Sequence, residues 1–174
     1  MSQEKQQVKI SIEFNLVQKS ESENNCLVRE LFNVNMRLFK NNKSYRKIIL
    51  KVCDYMEKIM NQEYSDYTKL SGLSGANIGI PFNIITIVQE CGLLTLINPS
   101  ITQMSKKTKI LYSNCGSLRL PEKCPVARRE WVDVSYYNTV GEHQHRRFTL
   151  DENGATVQHE IDHNRGILIT DSHK

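Results

Sequence analysis

Gln158-His159-Glu160-Ile161-Asp162-His163 is the stretch on which the fold and the chemistry turn. Residues four apart stand one above the other on a helix face. A helix over 155–164 therefore turns the imidazoles of His159 and His163 toward one point, with Glu160 beside it. This H-E-x-x-H pattern suits a divalent ion, whose bound water can lose a proton to the neighbouring carboxylate. Val157 and Ile161 give the helix an apolar side, so it packs into the fold. Gly166 is placed to end it. Asp162 reads either as an outer carboxylate or as the ion-pair partner of Arg165. By itself the pattern also arises by chance, from two surface histidines four residues apart.

A catalytic ion needs a third protein ligand and one open position. The candidates are Cys115, Cys124, His143, His145 and His173. His143 and His145 alternate with polar residues in what reads as a solvated hairpin, and His173 is the penultimate residue. Cys115 sits among small residues in Ser113-Asn114-Cys115-Gly116-Ser117, after a strand-like run. A buried apolar cysteine is the plainer reading of that residue type. Spacing alone does not choose Cys115 over Cys124.

Upstream of the helix lie β-rich runs at 84–88, 93–97 (ended by Pro99), 109–112 and 131–137. A turn at 138–142 returns the chain through 143–149. Ile49, Val52, Cys53, Met56, Ile59 and Met60 recur at helical spacing and predict a helix over 45–62, with Cys53 in its core face. Leu27, Leu31, Val34 and Leu38 suggest another helix, capped near Ser22 or Asn24 and broken at 40–43. Val8, Ile10, Ile12, Phe14 and Leu16 alternate as a half-buried strand does, and 19–25 reads as a loop. The glycines of 71–77 permit close backbone approach. The class is α+β, with mainly antiparallel strands around a central metal-binding helix.

The chain has 174 residues, which suits a single domain over 1–174. Five cysteines, widely spaced and without a C-x-x-C pair, argue against a disulfide scaffold. No apolar run reaches the ~20 residues of a membrane span. The first 14 residues lack the apolar core of a secretion signal, so a cytoplasmic location is expected, with an organelle left open. The net charge is +4. The basic clusters at 106–109, 128–129 and 146–147 read as solvated faces rather than a nucleic-acid surface.

In this order the motifs resemble those of the peptide deformylase family. The segment from Gln158 to Leu168 resembles its Q-H-E-x-D-H, two residues, glycine and an apolar strand. Ser113-Asn114-Cys115-Gly116-Ser117 resembles E-G-C-L-S, and Leu70 to Asn77 resembles G-x-G-x-A-A-x-Q. Ile97-Asn98-Pro99 and the 132–142 hairpin fit as well. The resemblance is weak before residue 45, so 1–44 is a divergent N-terminal segment. The departures are Asn77 for glutamine, and Ser113, Asn114 and Gly116 around the cysteine. The loop after Cys115 is longer than usual, and the stretch between Gly154 and His159 is shorter.

The resemblance implies a hydrolase that removes the N-formyl group from the N-terminal methionine of nascent polypeptides. It implies Cys115, His159 and His163 as metal ligands, with ferrous iron expected and zinc or nickel able to replace it in a purified sample. Glu160 would be the general base and then acid, and Asn77 and the Gly116 N–H would stabilise an oxyanion. Ser71, Gly72 and Asn114 would line the substrate site. N-formylmethionyl peptides are the expected partners, the ribosome is a further candidate, and no membrane is implied. Two alternatives stay open: a silent deformylase-like protein that binds peptide N-termini or ribosomes, and an H-E-x-x-H metallopeptidase.

Overall fold

The computed structural model describes residues 31–65, 70–116, 118, 120 and 122–173. The expected strand over Val8 to Leu16, the loop at 19–25 and the start of the Leu27 helix lie outside these residues. Two helices come first, α1 (Met36–Asn41) and α2 (Lys43–Ser65). Seven strands follow: β1 (Gly72–Ser74), β2 (Ile84–Gln89), β3 (Gly92–Met104), β4 (Thr108–Ser113), β5 (Cys124–Arg129), β6 (Trp131–Tyr137) and β7 (His143–Thr149). The helix α3 (Gly154–Asn164) and a 3-10 turn (Ile169–His173) complete the order. Strands β1-β2-β3-β6-β7 form one antiparallel sheet in that spatial order, and β4-β5 form a separate hairpin.

The large sheet is covered on both faces, as the alternation of β2 dictates. Ile84, with Ile97 opposite it on β3, faces α2, where Ile49, Val52, Cys53, Met56, Ile59 and Met60 are buried. Those six are the apolar stripe expected from spacing. Ile85 and Ile87, with Leu96 across from Ile85, face the other way onto Val157 and Ile161 of α3. Full burial of such side chains contributes about 1.5–3 kcal/mol each. The sheet thus fixes α3 from below, and the site sits on that face. Burial pushes the Cys53 thiol up to about 12, in keeping with an inert core residue.

Several expectations are corrected. The helix suggested by Leu31, Val34 and Leu38 does not form there; α1 begins at Met36, Leu38 is exposed and Phe39 is the buried residue. The chain before it is held elsewhere. Phe32 bridges Phe82, and Asn98 both accepts from the Val34 N–H and donates to the Val34 carbonyl. Asn35 then caps α1 by accepting from the Leu38 N–H at 3.0 Å. Pro99 does not end its strand, because β3 runs on to Met104. Asn98 takes a left-handed φ of 54°, and the register slips by one residue between Ile97 and Ser100. That bulge spares Pro99 a ladder hydrogen bond it cannot donate. The apolar 167–169 segment leads into a 3-10 turn rather than a strand.

Candidate metal centre

Helix α3 ends as its sequence directs. The Gly166 N–H donates to the His163 carbonyl and the Ile167 N–H to the Asp162 carbonyl, with Gly166 at φ 71°. This is a Schellman closure. The helix is also clamped to β5. The buried Gln158 accepts from the Arg129 N–H at 2.8 Å and donates to the Arg129 carbonyl at 3.0 Å. Asp162 pairs with Arg128 of β5, not with Arg165. Arg128 is therefore no solvated cation; its side chain lies inside the fold with Nη2 3.4 Å from His159 Nδ1. The sequence reading missed it because a basic doublet on a strand looks like surface. Gln158 and Asp162, each immediately before one of the paired histidines, were the signals that a strand must clamp this helix.

Cys115, just after β4, reaches the same helix. Its Sγ lies 3.2 Å from His163 Nε2, and His163 Nε2 lies 3.1 Å from His159 Nε2. The three ligand atoms fall within 4.8 Å of one another. Cys124 packs with Cys115, Val126 and Ile169 in a small apolar cluster, but its sulfur is not among the converging atoms. His143 and His145 are exposed on β7, where they meet Ser135 and Thr102. The side chain of His173 lies outside the described residues.

Burial and the Arg128 charge both favour neutral imidazoles. His159 is pushed down to about 3 by burial, then by His163 and Arg128. His163 is pushed down to about 4 by burial, then by Arg128. His163 Nδ1 is buried and has no hydrogen-bond partner among the described residues. With the proton on Nδ1, the Nε2 lone pair points at a second imidazole and a sulfur. Two neutral imidazoles and a thiol converging in this way fit a borderline divalent cation.

The shifts also carry a sign. Both histidines titrate lower in the fold than the ordinary 6.5, so the fold prefers them neutral. Metal-free protein should therefore lose stability as pH falls below about 6.5 toward about 4. Glu160 works in the opposite sense between pH 4.5 and about 8, which overlaps this window and offsets part of the loss. Thermal melts at pH 7 and pH 5 in chelator should show a drop in Tm that shrinks in a His159→Gln/His163→Gln double variant. An equal drop in both proteins would place the acid sensitivity elsewhere.

Glu160 is buried, and burial raises its carboxyl to about 8 against the opposing pull of Arg128. It lies against β1. A Cβ on Gly72 would come within 2.8 Å of Glu160 Oε1 and 2.6 Å of Thr156 Cγ2, so only glycine lets the strand pass this close. A 3-10 turn (Gly75–Ile78) continues from β1 and packs against α3. It carries Asn77, whose Oδ1 accepts from the Ser74 N–H at 3.0 Å. Asn77 Nδ2 is buried and has no partner among the described residues. Ser71 and Asn114 are exposed. Gly116 follows Cys115, and the Leu70 side chain fills the space its Cβ would take.

Residues 8–174 match the family model described as polypeptide deformylase. A peptide deformylase of Chloroflexus aurantiacus is 32% identical over 117 residues, a match spanning 58% of this chain and 61% of that protein. The chain therefore matches less than two thirds of that relative's length. One from Wolbachia pipientis is 27% identical over 139 residues, 69% of this chain and 74% of that protein. Among solved structures, a probable peptide deformylase from Synechococcus phage S-SSM7 superposes with a TM-score of 0.70 at 24% identity, covering 93% of this chain and 99% of that one. The Met-Ala-Ser-bound class I type b peptide deformylase of Acinetobacter baumannii gives 0.68 at 21% identity, covering 94% and 99%. At such identities these two likenesses carry the fold, which is mainly antiparallel strands with a few helices.

Proposed function

We propose that this chain, which belongs to the polypeptide deformylase family, removes the N-formyl group from the N-terminal methionine of nascent polypeptides and releases formate. The observation that carries the reading is the convergence of Cys115 Sγ, His159 Nε2 and His163 Nε2 on one point, on the helix that buries Glu160. Those three residues would hold the ion, ferrous iron by family, with zinc or nickel able to substitute. A divalent ion there would supply an acidified water and a polarised carbonyl. Glu160 would take the proton and return it to the leaving amine. Arg128 ion-pairs with Asp162 and so ties β5 to the helix that carries both histidines.

Asn77 and the Gly116 N–H would donate to the oxyanion. What supports Asn77 is its buried, unpartnered Nδ2, a donor with its other end already fixed by the Ser74 N–H. Ser71 and Gly72 would line an extended peptide along β1, which among the described residues is hydrogen-bonded only to β2. Asn114 would face the same peptide from the cysteine loop. Residues 1–174 would form one domain, with its divergence concentrated before residue 45. Nascent chains would bring the reaction beside the ribosome. No helix among the described residues is long and apolar enough to cross a membrane.

Formate release from formyl-Met-Ala-Ser by freshly iron-loaded protein tests the reading. The Acinetobacter neighbour is described with Met-Ala-Ser bound, the deformylated form of that peptide. Neither alternative is favoured. Absence of formate with iron and with nickel would favour the silent binder, and cleavage of unformylated peptides would favour the metallopeptidase.

Asn77 gives a sharper test. Asn77→Asp keeps an acceptor for the Ser74 N–H and removes the donor, whereas Asn77→Ala removes both. Both variants should lose ~10²–10³-fold in kcat/KM, the scale of one oxyanion donor. Full activity in Asn77→Ala would remove Asn77 from the mechanism.

A further inference from the structure

No acidic residue occurs from Leu31 to Cys53, while Arg37, Lys40, Lys43, Arg46, Lys47 and Lys51 all fall there. Six cations in one stretch exceed the net charge of the whole chain, +4. They form no run in the sequence and become a surface only when the helices wind. Lys43, Lys47 and Lys51 then stand in one exposed row on α2, about 6 Å apart along its axis. Lys40 and Arg37 extend the charge onto α1 and are exposed as well. Arg46 lies between, with its guanidinium 5.3 Å from the centre of the Phe39 ring.

The cations at the start of α2 work against its stability, whereas Lys40 lies in the last turn of α1, where a cation is favourable. Neither α1 nor α2 has an acidic residue in its first turn, and α2 begins on Lys43 with Arg46 and Lys47 close behind. Cations at the positive end of a helix are unfavourable to it. Local charge rules are broken in this way where a surface answers to a partner. The potential of the helix terminus adds to that of the side chains, which suits a polyanion.

We propose that the α1–α2 face docks the phosphate backbone of structured RNA. A row of ammonium groups along a rod matches a backbone that carries one charge per ~3.4 Å of each strand. An anionic membrane is the weaker fit. Among the described residues, Leu38 of α1 is the only large apolar side chain exposed on these two helices, and the apolar stripe of α2 is buried on the sheet; interfacial helices need a row of such side chains to insert. The face lies across the sheet from α3, since Ile84 and Ile97 meet α2 while Ile85, Ile87 and Leu96 meet α3. A bound RNA would therefore leave the Cys115–His159–His163 cluster open.

The test is fluorescence anisotropy of a labelled RNA duplex with the full-length protein across a salt series. About four phosphate contacts predict a ~10²-fold loss of affinity between 50 and 200 mM salt. The K43E/K47E/K51E variant should weaken binding more than tenfold and flatten the salt slope by about three contacts. A K106E/K107E/K109E control reverses three exposed lysines elsewhere and should bind within about threefold of the parent. Thermal melts check that both variants fold; if K43E/K47E/K51E does not, K47E/K51E replaces it. Equal weakening by both variants, or none by either, overturns the proposal. So does binding to phosphatidylserine vesicles that K43E/K47E/K51E abolishes while RNA binding persists.

Discussion

Glu160→Gln should keep any bound ion and lose ~10²–10⁴-fold or more in the rate of formate release, the scale of a positioned acid–base group. The substitution preserves the shape of a buried side chain that lies against Gly72. The carboxylate is not one of the three converging ligand atoms, so its removal leaves the donor set intact. What is lost is a group able to take and return a proton. A second readout separates this from simple damage. Burial raises the Glu160 carboxyl to about 8, so in metal-free protein its ionisation opposes folding increasingly as pH rises from 4.5 toward 8. Glutamine has no such penalty, and the metal-free variant should melt higher than the parent at pH 8. Metal analysis and steady-state kinetics decide the first part. Loss of the ion would make Glu160 a ligand and overturn the assigned geometry.

The most legible elements were those set by local periodicity. The stripe from Ile49 to Met60 and the alternation of 131–137 each have one way to bury their apolar face, and α2 and β6 follow them. Elements set by distant partners were hidden. Val34 looks like a helix position until Asn98, 64 residues away, captures its backbone. Pro99 looks like a strand end until the left-handed Asn98 turns it into a bulge. The strand β5 is short and carries Pro125, which reads as a strand breaker, yet it supplies Arg128 and the backbone that Gln158 grips.

At the site, spacing along one helix gave His159, Glu160 and His163, because i and i+4 share a face. Cys115 needed tertiary information. It comes from a different element, 48 residues from His163, and no local rule separates it from Cys124. Arg128 was hidden for a related reason: a guanidinium is read as surface unless its carboxylate partner is known, and that partner lies 34 residues away. Conversely, the close approach anticipated for the 71–77 glycines is met at Gly72, where the contact is the Glu160 side chain itself.

Cys115→Ala should abolish stoichiometric metal binding, whereas Cys124→Ala should leave it nearly unchanged. The two cysteines belong to one small apolar cluster, Cys115 buried in it and Cys124 partly buried against it. They differ in where sulfur points. Only Cys115 Sγ joins the imidazole nitrogens, 3.2 Å from His163 Nε2. Removing it takes away the only ligand of the three that carries charge as a thiolate and leaves two neutral imidazoles. Partners that merely orient a ligand cost ~10–100-fold in affinity when mutated. Loss of a ligand itself should therefore exceed ~100-fold. Metal content after dialysis against a weak chelator, with apo-protein melts confirming that both variants fold, makes the comparison. Comparable retention by the two variants would mean that the thiol at 115 is core filler and that the third ligand lies elsewhere.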